Sequence, residues 1–442
     1  MTVSSLTKCV LFLLIWGLVA CGGGGNGNSG GNAQPVDDGW VGVWATSAYT
    51  TYPLGPLEGI VPAPLDSITT PTAFPDEQAV DQSFRMIVHP TLGGEVMRLQ
   101  FSNAKGDQPV TLNPVTVALR LADAAIQPGT EVEVTFDGTS GVTIAPGDEV
   151  LSDAVSFPFA VGDDLAISFQ VVGQSGLMTW HAVSFDLQYL TPPGSGDVTS
   201  DVSGLSFTER SLGWFFLSGV DVLHGGESLG AIVTLGDSIT DGAYQTPGTN
   251  TRWPDFLAGR LQAQNIPMGV LNVGVNSNTV VAPVSENRGN PAVIRFDRDV
   301  LARAGVKSLV IFEGTNDLTA GATAEEIIDG LKQLVDRAHA AGLCVVLGTI
   351  MPRDDLIFGW DRATMEEPRQ VVNAAIRMMA EDGTVEGVAD FDAVMGSPLD
   401  PTRPNPVLYS PDLLHPTTVG FSVMADAVPL EDLVPPLVGQ CM

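Results

Sequence analysis

The segment AIVTLGDSITDG, residues 231–242, joins a continuous apolar run to a short turn bounded by glycines. A run of this kind is typical of a strand buried on both faces, as in a parallel sheet between helices. Ser238 then stands directly after the strand, at the edge where open α/β sheets bind ligands. A helix beginning there would direct backbone N–H groups towards an anion. Taken alone, Gly-x-Ser is in most proteins a strand-to-helix turn whose serine caps the helix.

The rest of the C-terminal half repeats this alternation of apolar runs and helical patterns. The runs lie at 270–273, 308–312 and 344–350, and the helical patterns lie near 253–264, 324–341 and 366–381. We therefore predict an α/β domain over residues 230–442, built around a parallel sheet.

Residues 40–200 instead carry apolar side chains at every second position. The alternation is clear at 96–101, 131–136, 165–171 and 183–189. Short alternating runs separated by Gly, Pro and Asp predict an all-β sandwich, jelly-roll-like in type. Residues 201–229, which follow a Pro-Pro-Gly-Ser-Gly sequence, are predicted to connect the two domains.

The first 21 residues have the features of a targeting segment. Lys8 supplies a positive charge, residues 10–19 form an apolar run too short to span a membrane, and Leu-Val-Ala-Cys ends at Cys21. This ending resembles a bacterial lipoprotein signal, in which Cys21 would become the lipidated first residue; an ordinary secretory peptide is the alternative. No acidic residue follows Cys21, which favours the outer membrane or cell surface. The Gly/Asn/Ser-rich residues 22–39 are predicted to form a flexible tether.

Charge and cysteine content exclude several classes of function. The 442 residues include 51 Asp and Glu against 20 Lys and Arg, a net charge of -31, with no basic cluster, so nucleic-acid binding is excluded. No histidine pair has metal-ligand spacing, so we expect neither a metal nor another cofactor. Cys344 and Cys441, which would remain after processing, are predicted to be free thiols, with Cys344 in a buried strand.

Four motifs at four predicted strand ends supply the parts of a nucleophilic active site. A serine needs a base that accepts its proton and an acid that orients the base, and Asp412 and His415 provide both in Asp-Leu-Leu-His. An attacked carbonyl also needs hydrogen-bond donors, for which Gly274 and Asn316 are candidates. Each motif is common in turns, but their coincidence favours a shared site.

Together these blocks resemble the GDSL/SGNH hydrolases: Gly-Asp-Ser-Ile at Ser238, a glycine block at Gly274, Gly-x-Asn-Asp at Asn316, and Asp-x-x-His ending at His415. The resemblance implies a three-layer, flavodoxin-like domain in which Ser238 is the nucleophile, His415 the general base and Asp412 its orienting acid. It also implies that the Ser238 and Gly274 N–H groups and the Asn316 side chain bind the oxyanion.

Two features depart from or extend this resemblance. Ile239 replaces the leucine of the name-giving block, and Asn-Ser-Asn at 276–278 stands where relatives often carry a further glycine. The N-terminal half, through Trp-Val-Gly-Val-Trp-Ala at 40–45 and Thr-Trp-His at 179–181, resembles a bacterial subgroup in which a β-sandwich precedes the hydrolase. Trp44 and Trp180 are expected in the core of that domain.

The resemblance implies an exported ester hydrolase that acts through an acyl-serine intermediate. A tether and a β-domain favour a carbohydrate-linked ester, such as an acetylated polysaccharide, as substrate. A lipase or arylesterase and a non-catalytic carbohydrate-binding lipoprotein are the alternatives. We expect loops at 249–253, 281–290 and 353–362 to lie near the mouth of the site.

Overall fold

The computed structural model describes residues 39–55, 74–183, 185–224, 228–281, 288–355, 357–435 and 441. The predicted signal segment with Cys21, and all of the predicted tether except Gly39, lie outside the described residues. Among the helices that are described, none is both long enough and apolar enough to cross a bilayer.

In its described residues, the N-terminal half consists of antiparallel strands in two larger and two smaller sheets. In chain order they are β1 (Trp40–Ala45), β2 (Thr50–Thr51), β3 (Val80–Val88), β4 (Gly94–Ser102), β5 (Val110–Ala122), β6 (Ala125–Ile126), β7 (Val132–Glu133), β8 (Thr135–Phe136), β9 (Thr139–Ser140), β10 (Val142–Ile144), β11 (Glu149–Leu151), β12 (Val155–Phe159), β13 (Leu165–Gln174), β14 (Thr179–His181), β15 (Gln188–Leu190), β16 (Glu209–Ser211), β17 (Trp214–Phe215) and β18 (Leu217–Leu223). One large sheet has the order β1-β18-β4-β11, with β12 also on β4; the other has the order β10-β5-β13-β3-β15-β16, with β6 and β7 on β5.

The two larger sheets share one apolar core. Every second side chain of a strand points to the same face, and in both sheets this apolar face is turned towards the other sheet. Phe101 of β4 meets Phe169 of β13 edge to face, with ring centroids 5.6 Å apart. Trp44 and Trp180 lie in this core, as expected from the sequence.

The predicted connection at 201–229 contains strands β16, β17 and β18. β18 pairs with both β1 and β4, so it occupies the interior of its sheet. Much of residues 209–223 therefore belongs to the antiparallel sheets, a difference from the prediction. The Pro-Pro-Gly-Ser-Gly turn indicates a loop, and β16 and β17 after it are too short for a periodic signal. In the seven-residue β18 a bulge between Leu217 and Gly219 interrupts the alternation.

The C-terminal half contains a parallel sheet with helices on both faces. Its strands are β19 (Gly230–Gly236), β20 (Met268–Asn272), β21 (Val306–Phe312), β22 (Cys344–Gly348) and β23 (Gly387–Ala389), and its helices are α1 (Ser238–Asp241), α2 (Trp253–Ala263), α3 (Ala292–Phe296), α4 (Thr315–Thr319), α5 (Ala324–Ala340), α6 (Arg362–Glu381), α7 (Phe391–Met395) and α8 (Thr418–Ala427). The order β20-β19-β21-β22-β23 is 2-1-3-4-5 when counted from β19, as in a doubly wound sheet. Separate apolar clusters cover the two faces, with Ile232 of β19 in one and Val233 in the other.

Strand β1 joins the two halves directly. Val41 and Ala45 belong to the apolar cluster on one face of the parallel sheet. The N–H of Gly42 donates to Ala304 O at 2.9 Å. A side chain at Gly269 would lie 2.1 Å from the carbonyl oxygen of Gly42, so the contact requires glycine there.

A disulfide joins Cys344 to Cys441, so the prediction of two free thiols is wrong. Cys344 is buried at the start of β22, as predicted. The chain after α8, however, returns to the amino-terminal ends of β21 and β22. There the hydroxyl of Ser308 donates to the carbonyl of Leu433. A separation of 97 residues carries no sequence signal for pairing, since the path of the chain alone brings the two sulfurs together.

Candidate active site

Ser238 is the first residue of α1, immediately after β19. Asp237 caps this helix, its side chain accepting the N–H of Ile239 at 2.9 Å. The preceding Gly236 lets the turn close, because a side chain there would lie 2.0 Å from Thr240 Oγ1. The local sequence thus holds the Ser238 hydroxyl at the carboxyl edge of the parallel sheet.

His415 and Asp412 reach Ser238 from the loop before α8. The Ser238 hydroxyl lies 2.9 Å from His415 Nε2, and His415 Nδ1 lies 2.6 Å from Asp412 Oδ2. The second carboxylate oxygen of Asp412 accepts the backbone N–H groups of Leu414 and His415. Burial opposes ionisation of Asp412, but hydrogen bonds from His415 outweigh it and lower the pKa of the carboxyl. An ionised Asp412 holds the proton on Nδ1, which leaves Nε2 to accept the serine proton.

Two aromatic side chains flank the imidazole of His415. Tyr244 stacks on it with ring centroids 5.1 Å apart, and Phe358 meets it edge-on at 5.9 Å. Both are partly exposed. Phe358 comes from the loop at 353–362, one of the three expected near the mouth of the site.

Asn316, in the first turn of α4 after β21, meets the loop that carries Ser238. Its Nδ2 donates to Asn278 O at 2.9 Å and approaches Asp237 Oδ2 at 3.4 Å. The structure therefore brings Asn316, Asp237 and the loop after β20 together beside the serine.

Gly274 does not present its N–H to this space, contrary to the prediction. The N–H donates to Asn272 Oδ1 at 2.9 Å, and a side chain at Gly274 would lie 2.4 Å from the backbone nitrogen of Asp241. Glycine at 274 thus allows close packing of the loop on α1. Ser277 is a further candidate donor that the motifs do not indicate: its φ is 61°, a conformation that favours glycine, and no acceptor for its N–H is found among the described residues. The sequence holds one sign of this role: Asn-Ser-Asn, which contains Ser277, stands where relatives often carry a further glycine.

Residues 234–423 match the family model of the GDSL-like lipase/acylhydrolases. The chain carries a GDSL-like lipase/acylhydrolase domain. Because this family consists of acylhydrolases, the predicted enzyme class, a carboxylic ester hydrolase, is confirmed. No curated protein compared with the chain matches it significantly.

Several solved structures are similar to the GDSL-like domain. A GDSL-like lipase from Bacteroides thetaiotaomicron is 18% identical, with 45% of this chain and 84% of that chain covered and a TM-score of 0.33. A carbohydrate acetylesterase from Sinorhizobium meliloti is 15% identical, with 45% and 95% covered and a TM-score of 0.35. An aryl esterase from M. smegmatis is 16% identical, with 45% and 95% covered and a TM-score of 0.34.

Three buried carboxyl groups are close in sequence to Ser238 or Asn316: Asp237, Glu313 and Asp317. Asp317 accepts the N–H groups of Val280 and Val281, which fixes the loop after β20. Burial raises the pKa of Asp237 to about 7. Burial, and then the charge of Asp237, raise the pKa of Glu313 well above its usual value. These groups are held inside the protein, so we assign them to shaping the loops and not to contact with substrate.

The remaining histidines of the chain lie away from Ser238 Oγ. His339 pairs with Glu386, His89 pairs with Asp164, and His224 contacts Gly93 O. His181, which the sequence placed in the β-region, contacts Asp241 at the end of α1. In the part of the chain that the structure describes, no three His, Cys, Asp or Glu side chains are grouped as metal ligands.

Proposed function

We propose that the protein is an exported serine esterase in which Ser238, His415 and Asp412 form the catalytic triad. The observation that carries this proposal is the unbroken chain of hydrogen bonds from the Ser238 hydroxyl through His415 to Asp412. His415 Nε2 takes the serine proton as the oxygen attacks the ester carbonyl. The same proton then passes to the leaving alcohol, and water hydrolyses the acyl-serine by the reverse sequence.

The negative charge on the attacked carbonyl would be held by three donors. Ser238 N–H, at the start of α1, and Ser277 N–H have no acceptor among the described residues. Asn316 Nδ2 would exchange its 3.4 Å contact with Asp237 for a shorter bond to the oxyanion. This set replaces Gly274 by Ser277 in the donor group that the sequence implied.

The proposed substrate is a carbohydrate-linked ester, and deacetylation of a polysaccharide is the preferred case. Tyr244 and Phe358 flank the histidine that would protonate the leaving alcohol, so their exposed surfaces would meet that alcohol. Aromatic faces of this kind pack well against a flat, mostly apolar ring face. The same surfaces suit an aryl alcohol, so an arylesterase is the second candidate; lipid esters and a non-catalytic binding role are further outcomes of the test.

Release of acetate from acetylated xylan, measured beside hydrolysis of p-nitrophenyl acetate, butyrate and octanoate, tests this proposal. We expect the wild-type protein to deacetylate the polymer and to prefer acetate, and Ser238→Ala to lose all turnover while keeping its melting temperature. Turnover of aryl or longer-chain esters without polymer activity would support the second candidate. Activity that persists in Ser238→Ala would refute the assigned nucleophile, and silence on every substrate would favour the binding role.

We further propose that Cys21 anchors the protein to the outer membrane or cell surface through lipid, with residues 22–39 as the tether. The Cys344–Cys441 disulfide supports export, since such bonds persist in oxidising compartments. In a bacterial host, the full chain should sediment with membranes and the Cys21→Ser variant should not. Equal distribution of the two proteins between membrane and soluble fractions would contradict the lipid anchor.

A further inference from the structure

His181 of the antiparallel half contacts the helix that begins with Ser238. It is the last residue of β14, its side chain is 3% exposed, and its ring packs between Tyr49 and Trp214. Nδ1 lies 3.2 Å from Ser47 O, and Nε2 lies 3.0 Å from Asp241 Oδ1. Asp241 is the last residue of α1, so His181 acts on the end of the helix opposite to Ser238.

Asp241 connects this histidine to the proposed oxyanion loop. Its second carboxylate oxygen accepts a hydrogen bond from Asn276 Nδ2 at 2.5 Å. The carbonyl of the same asparagine accepts the Tyr49 hydroxyl at 3.2 Å. Asn276 immediately precedes Ser277. Two side chains from the antiparallel half therefore hold both the helix of the nucleophile and the loop of the Ser277 N–H.

His181 joins Ser47 to Asp241 through its two ring nitrogens, since Nδ1 faces the carbonyl oxygen of Ser47 and Nε2 faces the side chain of Asp241. The second of these contacts pairs an imidazole with a carboxyl group. Both groups are buried, and removing the imidazole would leave the Asp241 oxygen without this partner. Because Asp241 also holds Asn276, its reorientation would move the loop after β20.

We propose that His181 and Tyr49 are positioning residues, through which the antiparallel half completes the active site of the GDSL-like domain. The inference rests on the proposed triad chemistry and adds to it a role for the N-terminal half. Neither residue touches the Ser238 hydroxyl. They act by fixing the distance between the start of α1 and residues 276–278, where a displacement of about 1 Å costs roughly a hundredfold in rate.

Steady-state kinetics of His181→Leu on p-nitrophenyl acetate test the inference. We expect kcat to fall about a hundredfold while KM stays within about twofold, because positioning affects the transition state more than substrate binding. His181→Gln, whose amide can still donate to Asp241, should recover a large part of kcat. The matched control is His339→Leu, which removes another largely buried histidine–carboxylate pair, between α5 and the residue before β23, and should keep the wild-type kcat.

A milder variant covers the case in which His181→Leu does not fold. Tyr49→Phe removes only the hydroxyl that donates to Asn276 O, and it should lower kcat several-fold at an unchanged KM. Wild-type kcat in His181→Leu, or wild-type kcat in Tyr49→Phe where His181→Leu does not fold, would overturn the inference. An equal loss of kcat in His339→Leu would also overturn it. If the wild-type protein shows no Ser238-dependent hydrolysis, the proposed function fails instead, so the two failures are distinguishable.

Discussion

Asn316 and Ser277 would supply donors of different kinds to the proposed oxyanion site. The amide of Asn316 is held by Asn278 O and only loosely by Asp237, so one of its hydrogens can turn towards a ligand. Ser277 contributes its backbone, and its positive φ sets the direction of the N–H. The side chain of Ser277 is therefore dispensable in the proposed mechanism, whereas that of Asn316 is not.

This difference predicts opposite outcomes for two substitutions. Asn316→Ala should lower kcat by about a hundred- to a thousandfold, the usual cost of losing one oxyanion donor. Ser277→Gly keeps the N–H and suits φ of 61°, so it should keep kcat within about twofold. Burst-phase and steady-state assays on p-nitrophenyl acetate would measure both. A large loss in Ser277→Gly would show that the hydroxyl itself takes part, and normal kcat in Asn316→Ala would remove Asn316 from the donor set.

At the scale of elements, the sequence predicts what local chemistry controls. The helix predicted at 324–341 is α5, Ala324–Ala340, because Thr323 and Glu326 form a capping box at its start. The helix predicted at 366–381 begins earlier, at Arg362, where the Asp361 side chain accepts the N–H of Ala363. The apolar runs give the first four parallel strands to within a few residues, since burial on both faces requires continuous apolar sequence. Three-residue β23 is too short to show such a run.

Contacts between distant elements are what local pattern cannot supply. The hydrogen-bonded set of Ser238, His415 and Asp412 was predictable because its acid and base share one short motif. The serine follows the end of β19, whereas the Asp-x-x-His block lies in the loop before α8 and not at a strand end. His181 and Asp241 are 60 residues apart and lie in different halves, so nothing near either residue indicates the other. A glycine in a motif is ambiguous in a related way, because the sequence does not show whether it serves close packing or a free N–H. At Gly274 it marks close packing and not a free N–H, and a serine occupies the position whose backbone would favour glycine.

At the scale of the whole molecule, the two halves share buried polar contacts as well as apolar ones. Arg303, buried beside the parallel sheet, donates to the carbonyl oxygens of Ser218 and Thr46 from the antiparallel half, each at 2.9 Å. Thr91 Oγ1 accepts the N–H of Val270 in β20 at 2.8 Å. Separating the halves would exchange these hydrogen bonds for bonds to water, at a net cost of about 0.5–1.5 kcal/mol for the neutral bond and about 1.5–3 kcal/mol for each bond from Arg303.

We therefore predict that the GDSL-like domain does not fold on its own. A chain of residues 228–442 should lack a cooperative thermal transition and hydrolyse no p-nitrophenyl acetate, because Arg303 and the face that β1 covers would be exposed. A chain of residues 39–442 should unfold in one calorimetric transition, and co-expression of 39–227 with 228–442 should restore activity. Catalysis by the isolated C-terminal chain at the wild-type rate would contradict this coupling, and would also weaken the positioning role of His181 and Tyr49, since both would then be dispensable.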